Sequence, residues 1–92
     1  MKVVINRCFG GFGLSEKAYE FLGLKWDGYG YKYSDHDLRT DAKLVECVET
    51  LGEEADGRFA ELNVVEISDD VNWEIDEYDG LETIHEVHRV WY

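Results

Sequence analysis

The chain is predicted to fold as a small α+β domain, a mixed β-sheet with two or three helices packed on it. Three observations lead there. Short β-branched segments open the chain and recur in its second half. Two stretches in the first half place apolar residues at helical spacing behind good N-caps. A hydrophobic content of 45%, with 14% aromatic residues, lets 92 residues bury one core, so residues 1–92 are expected to form a single domain without repeat or linker.

Each element has its own local signal. Lys2 to Arg7 reads as a strand, and the run Val3-Val4-Ile5 implies burial on both faces and a central place in the sheet. Ser15 is a good N-cap, Glu16 suits the first turn, and Ala18, Phe21 and Leu22 share a helix face that Gly23 ends. From Leu24 to Tyr33 the alternation of Tyr29, Tyr31 and Tyr33 suggests an edge strand or an extended loop. Thr40 or Asp41 caps a second helix, Asp41 to Leu51, with Leu44, Val45, Val48 and Leu51 as its stripe and Gly52 as its stop. Phe59 to Ile67 and Val71 to Tyr78 read as strands, and Asp79-Gly80 as a turn. Beyond it, Leu81, Ile84, His88 and Trp91 fit a helix face, whereas Thr83, His85, Val87, Arg89 and Trp91 alternate as on a strand. The helix is the preferred reading.

Charge narrows the functional classes. With 21 acidic and 9 basic residues the net charge is −12. That opposes direct binding of nucleic acid or of an anionic membrane, both of which require Lys and Arg. It suits a basic protein surface, or simple solubility. No apolar run approaches a membrane span, no secretory leader is evident, and Cys8 and Cys47 form no disulfide framework, so reduced thiols inside a cell are expected.

The segment Arg7-Cys8-Phe9-Gly10-Gly11-Phe12-Gly13-Leu14-Ser15 stands out, because a glycine-rich turn between strand and helix leaves amides unpaired. Arg7, Gly10, Gly11, Gly13 and Ser15, helped by Arg39 and Lys17, can cradle a phosphate or carboxylate. The competing reading is a tight connection in which the glycines supply positive φ and Phe9 and Phe12 pack beneath. No Gly-Lys-Ser/Thr ends the turn and the spacing is not that of a dinucleotide fingerprint. Cys8 lies near a helix start, but the phosphatase Cys-x5-Arg spacing is absent, since Leu14 fills the Arg position.

Other candidates are weaker as motifs. His85 and His88, with Glu82 or Glu86 and with Asp35-His36-Asp37, offer metal ligands without a second tight pair, so no metal is expected. Trp26, Tyr29, Tyr31 and Tyr33 can anchor a protein partner, stack a nucleobase, or simply cover the sheet. Carboxylates cluster, and Glu74, Asp76 and Glu77 on a strand can imitate the charge spacing of a phosphate backbone. A glycosidase pair is disfavoured by the short chain.

The stretch from Val4 through Ser15, the Leu38-Arg39-Thr40-Asp41 segment, and Trp73-Glu74-Ile75-Asp76-Glu77-Tyr78-Asp79-Gly80-Leu81-Glu82 with His88-Arg89 resemble a family of small proteins encoded in bacteriophages and prophages. The resemblance implies an accessory protein acting in the bacterial host cytoplasm, where such proteins often block a host enzyme or an immune system by binding. The leading expectation is therefore a non-enzymatic counter-defence or host-takeover protein, without a cofactor. It would dock a basic host protein through an acidic face, with Trp26, Tyr29, Tyr31, Tyr33, Glu74, Asp76 and Glu77 in contact. The alternative is a binder that sequesters a nucleotide-type signal at the glycine turn.

Overall fold

The computed structural model describes residues 1–87 and bears out the α+β class. Strand β1 (Lys2–Asn6) leads through the glycine turn to helix α1 (Glu16–Leu22). A long loop and a 3₁₀ turn at His36–Leu38 lead to helix α2 (Ala42–Leu51). Strands β2 (Leu62–Glu66), β3 (Trp73–Tyr78) and β4 (Leu81–Glu86) follow. Pairing is antiparallel throughout and falls into two ladders, β1 with β2 and β3 with β4.

The local signals explain both helices. Ser15 caps α1 by accepting from the Ala18 amide, and Gly23 closes it in the left-handed region. Asp41 caps α2 by accepting from the Lys43 and Leu44 amides. One expectation is decided and one fails. Of the two readings for Leu24 to Tyr33, the loop is the one observed, because Asp27 turns the chain by accepting from the Tyr29 and Gly30 amides at 2.8 and 3.0 Å. Leu81 to Glu86 is strand, not helix: Asp79 and Gly80 both adopt positive φ, as a two-residue hairpin turn requires, and cross-strand pairing overrides the helical spacing. The part of that helical reading that used His88 and Trp91 lies outside the described residues.

β1 is buried on both faces, as its apolar run implies, and it divides the interior in two. Val4 faces a core built with Leu14, Ala18, Tyr19, Leu44, Cys47 and Val48 under the helices. Val3 and Ile5 face a second core with Ile75, on which Trp73 and Ile84 of the hairpin pack. The central place expected for β1 is not realised with strands among the described residues, where β2 alone is its ladder partner.

Arg39, through its carbonyl and its guanidinium, and the Glu82 side chain close the other edge of β1. The Val4 amide donates to the Arg39 carbonyl at 2.9 Å, and the Arg39 guanidinium donates back to the Val4 carbonyl at 3.3 Å. Glu82, from β4, accepts from the Asn6 amide at 2.8 Å. Arg39 and Glu82 themselves form a two-pronged ion pair at 2.5 and 2.8 Å, with both side chains almost fully buried. The guanidinium also donates to the Tyr33 and Ser34 carbonyls and lies 3.7 Å from the centre of the Phe12 ring. Buried Asn6 completes the joint. Its amide group donates to the Cys8 and Gly80 carbonyls, and its side-chain oxygen accepts from the Cys8 and Glu61 amides.

Removing one partner of such a pair strands a buried charge. Glu82→Gln is expected to lower unfolding free energy by about 3–5 kcal/mol in urea titration, and a loss under about 1 kcal/mol would contradict this assignment. The double change Arg39→Met with Glu82→Leu is not expected to be neutral. It orphans the Val4, Tyr33 and Ser34 carbonyls and the Asn6 amide together, so its unfolding midpoint in the same titration should remain well below wild type.

Candidate functional site

Four chain segments interlock around the glycine turn, and their backbones touch where a side chain would not fit. A Cβ on Gly10 would collide with the Phe59 carbonyl, one on Gly57 would stand 2.6 Å from the Gly13 carbonyl carbon, and one on Gly30 would strike the Leu14 carbonyl. A Cβ on Gly80, at the hairpin tip, would lie 2.6 Å from the Gly11 amide. The contacts are hydrogen-bonded: the Gly57 amide donates to the Gly13 carbonyl and the Leu14 amide to the Gly30 carbonyl, each at 2.9 Å. Of the three glycines in the turn Gly11 needs positive φ and Gly10 is required for close approach, whereas a Cβ on Gly13 would meet only ordinary contacts, at 3.8 Å from the Tyr31 ring and 3.9 Å from Gly57.

This interlock displays aromatic rings. Phe9, Tyr29, Tyr31 and Phe59 stand around the turn, with Tyr78 at the adjoining hairpin end, and all five are between 60% and 77% exposed. Between Gly10–Gly13, Tyr29, Tyr31 and the Gly57–Phe59 segment lies a cleft of about 50 Å³. The Arg58 guanidinium sits 5.3 Å from the Phe59 ring centre and supplies the cleft's cation. The Phe12 and Gly13 amides have no acceptor among the described residues.

The residues expected to hold an anion do not converge. Gly10, Gly11 and Gly13 line the cleft, but Arg39 is consumed by Glu82 inside the fold, and Ser15 caps α1 and donates to the Glu54 carbonyl. Arg7 lines a separate groove beside β2, and Lys17 pairs with Glu54 at 3.0 Å. Arg58 was missed by sequence reasoning; only its place between Gly57 and Phe59 hinted at a turn. Cys8 lines a groove with Glu53, Asp56 and Glu61, and no histidine is among that groove's residues.

The expected partner-binding residues divide. Tyr29 and Tyr31 are exposed at the cleft, whereas Trp26 and Tyr33 are half-buried against the first core, Trp26 edge-on to Tyr19 with ring centres 5.1 Å apart. Glu74 and Asp76 stand on the outer face of the hairpin, where His85 meets Glu74 at 2.8 Å through Nε2 and Asp76 at 2.5 Å through Nδ1. Glu77 is exposed on the opposite face of the strand, across from Glu82. Of the residues named as metal ligands, Glu82 is spent on Arg39, Glu86 lies opposite Trp73, and His88 falls outside the described residues. His36 and Asp37 line a groove of about 510 Å³ against Trp73, Glu74 and Ile75. Glu74, Asp76 and His85 do bring ligand atoms within 4.8 Å of one another, but each ring nitrogen already meets its own carboxylate.

The acidic surplus has a location. From Phe59 to Val87 the chain carries ten carboxylates and no Lys or Arg, and the hairpin holds six of the ten, with Glu82 alone of those six buried against Arg39. No helix among the described residues is long and apolar enough to cross a membrane. Comparison of the chain with protein-family models, with curated proteins and with solved structures gives no match.

Two predictions test this geometry. The Gly30 amide, with that of Tyr29, holds Asp27 below its ordinary value of 3.8. A depressed carboxyl stabilises above its unfolded value and loses that effect as pH falls through the folded one. The Gly30 amide signal should therefore shift below the ordinary carboxylate range in wild type but not in Asp27→Ala, and a signal flat in both would refute the tether. Burial pushes the Cys47 thiol up to about 11, so in native protein at neutral pH it should resist a thiol reagent that labels it rapidly in urea. Equal labelling rates would show that the core under α2 is open.

Proposed function

We propose that this protein acts by binding a basic surface of another protein, without catalysis, and that it serves as a phage or prophage accessory protein in the bacterial cytoplasm. One observation carries the reading: the exposed rings of Tyr29, Tyr31 and Phe59 line the cleft at the glycine interlock of a chain with net charge −12. Exposed Tyr and Phe on a rigid frame are the residue types that anchor protein interfaces, and they lose little side-chain freedom on docking. The hairpin that ends beside them bears exposed Glu74 and Asp76 on one face, Glu77 and Glu86 on the other and Asp79 at the turn, and their summed negative charge would steer a basic partner toward the rings. The resemblance to small phage and prophage proteins supplies the cellular context and points toward counter-defence or host takeover.

The nucleotide-sequestering alternative is less well supported. A cleft of about 50 Å³ falls well short of the roughly 300 Å³ at which small-molecule pockets begin. With Arg58 and two unpaired amides it suits a single inserted side chain of the partner better than a base and its phosphates.

Capture from bacterial extract tests the proposal. A basic protein should be retained at about 50 mM salt and released at about 500 mM, where screening shrinks the reach of the carboxylates to a few ångströms. Tyr31→Ser with Phe59→Ser should weaken capture at least ~tenfold while leaving the thermal midpoint nearly unchanged, because both rings are already in water. Salt-insensitive capture, or full capture by the double variant, would overturn the reading.

A further inference from the structure

We infer that the outer edge of β2 receives an extended, basic segment of the protein partner as an added strand. The inference builds on the proposed function and names the form of the partner.

The pairing pattern shows which groups are open. The Val4 amide turns away from β2 toward Arg39, so Val4 and Val64 form a pair without mutual hydrogen bonds. Bonded pairs then alternate along the ladder, Val3 with Val65 and Ile5 with Asn63. The Arg7 amide on the Glu61 carbonyl and the Ile67 amide on the Met1 carbonyl continue the alternation at either end. Leu62, Val64 and Glu66 therefore point their backbone groups outward. Asp56 takes the Leu62 amide at 2.9 Å. The Val64 and Glu66 amides and carbonyls meet no partner among the described residues.

The edge lacks the usual guards. The strand Leu62-Asn63-Val64-Val65-Glu66 has neither Lys nor Pro, the residues that commonly blunt an edge against pairing. Val64 and Val65 are half-buried and offer apolar contact on both faces. A groove of about 420 Å³ lined by Arg7, Glu61, Asn63, Val64 and Val65 runs beside them. β1 has its free edge closed by Arg39 and Glu82, whereas β2 does not.

Charge selects the occupant. A second copy of the chain would bring two molecules of net charge −12 together, which opposes self-pairing. Glu61 and Glu66 bracket the edge in the strand's own segment, the nearby Lys2 is paired with Glu49 and the Met1 ammonium with Asp69, and Arg7 is the one cation lining the groove. An extended segment alternating Lys or Arg with apolar residues complements both the open backbone and the carboxylates.

The probe is the full chain, isotopically labelled, titrated with an acetylated and amidated Lys-Val-Lys-Val-Lys-Val peptide, with Glu-Val-Glu-Val-Glu-Val as control. In the free protein the Val64 and Glu66 amides should exchange quickly; the basic peptide should protect them and the acidic one should not. Val64→Pro removes an outward amide that the native fold does not use, so it should keep the fold and weaken the basic peptide at least ~tenfold. Glu61→Lys with Glu66→Lys should weaken the basic peptide as well and admit the acidic one, and it carries the test if the proline variant unfolds. Val64 and Glu66 amides already protected in the free chain, dimerisation through this edge, or unchanged affinity in the variants would overturn the inference. Partner capture that survives Val64→Pro but fails in Tyr31→Ser with Phe59→Ser would sink the strand-addition proposal alone; the converse pattern would sink the aromatic docking surface.

Discussion

An ion pair stands where a third strand would be. β1 carries the apolar run around which both cores form, yet among the described residues it has a ladder partner on one side only. Its other edge would leave the Val4 and Asn6 amides and the Val4 carbonyl unpaired inside the protein. Arg39 and Glu82 satisfy all three and neutralise each other in doing so. Burying two charges is unfavourable unless every remaining donor and acceptor is met. Here the spare guanidinium hydrogens reach the Tyr33 and Ser34 carbonyls and its face rests on Phe12. The pair thus fastens the loop before α2, the first strand and the last hairpin at one point.

That fastening has a consequence for the surface. The hairpin is held through Glu82 and through Gly80, whose carbonyl accepts from Asn6 and whose missing side chain lets the tip press on the glycine turn. The turn is pressed in its turn by Gly57–Phe59 and by Gly30. Backbones packed this closely leave no inward space for Phe9, Tyr31 or Phe59, so their rings stand outside. Burial of Arg39 and exposure of the aromatic rings are two results of one packing arrangement. It also removes the most obvious cation from the surface and leaves Arg58 to serve the cleft.

The parts of the fold legible in the sequence are those with local causes. Ser15 and Asp41 announce helix starts, Gly23 and Gly52 the ends, and Asp79-Gly80 the hairpin turn. What was not legible depends on residues far apart in the chain. Arg39 and Glu82 are 43 positions apart, and each alone resembles something else, a phosphate-binding cation or a metal-ligating carboxylate. The alternating tyrosines from Tyr29 to Tyr33 imitate a strand, because Asp27, which bends them into a loop, acts through backbone amides that composition does not reveal. Leu81 to Glu86 satisfies both periods, and only the register opposite Trp73–Tyr78 decides between them. The glycines of the turn were legible as special, but that Gly10 admits the Phe59 backbone appears only with that neighbour in place.

Native-state hydrogen exchange at Val4 and Asn6 tests the central claim most directly. If Arg39 and Glu82 close the edge of β1, these two amides should be among the slowest in the protein, exchanging only through global unfolding and tracking the unfolding free energy. Exchange at those two positions that is much faster than global unfolding, while neighbouring Val3 and Ile5 stay protected by β2, would show that the edge is open and that the ion pair does not hold the fold together.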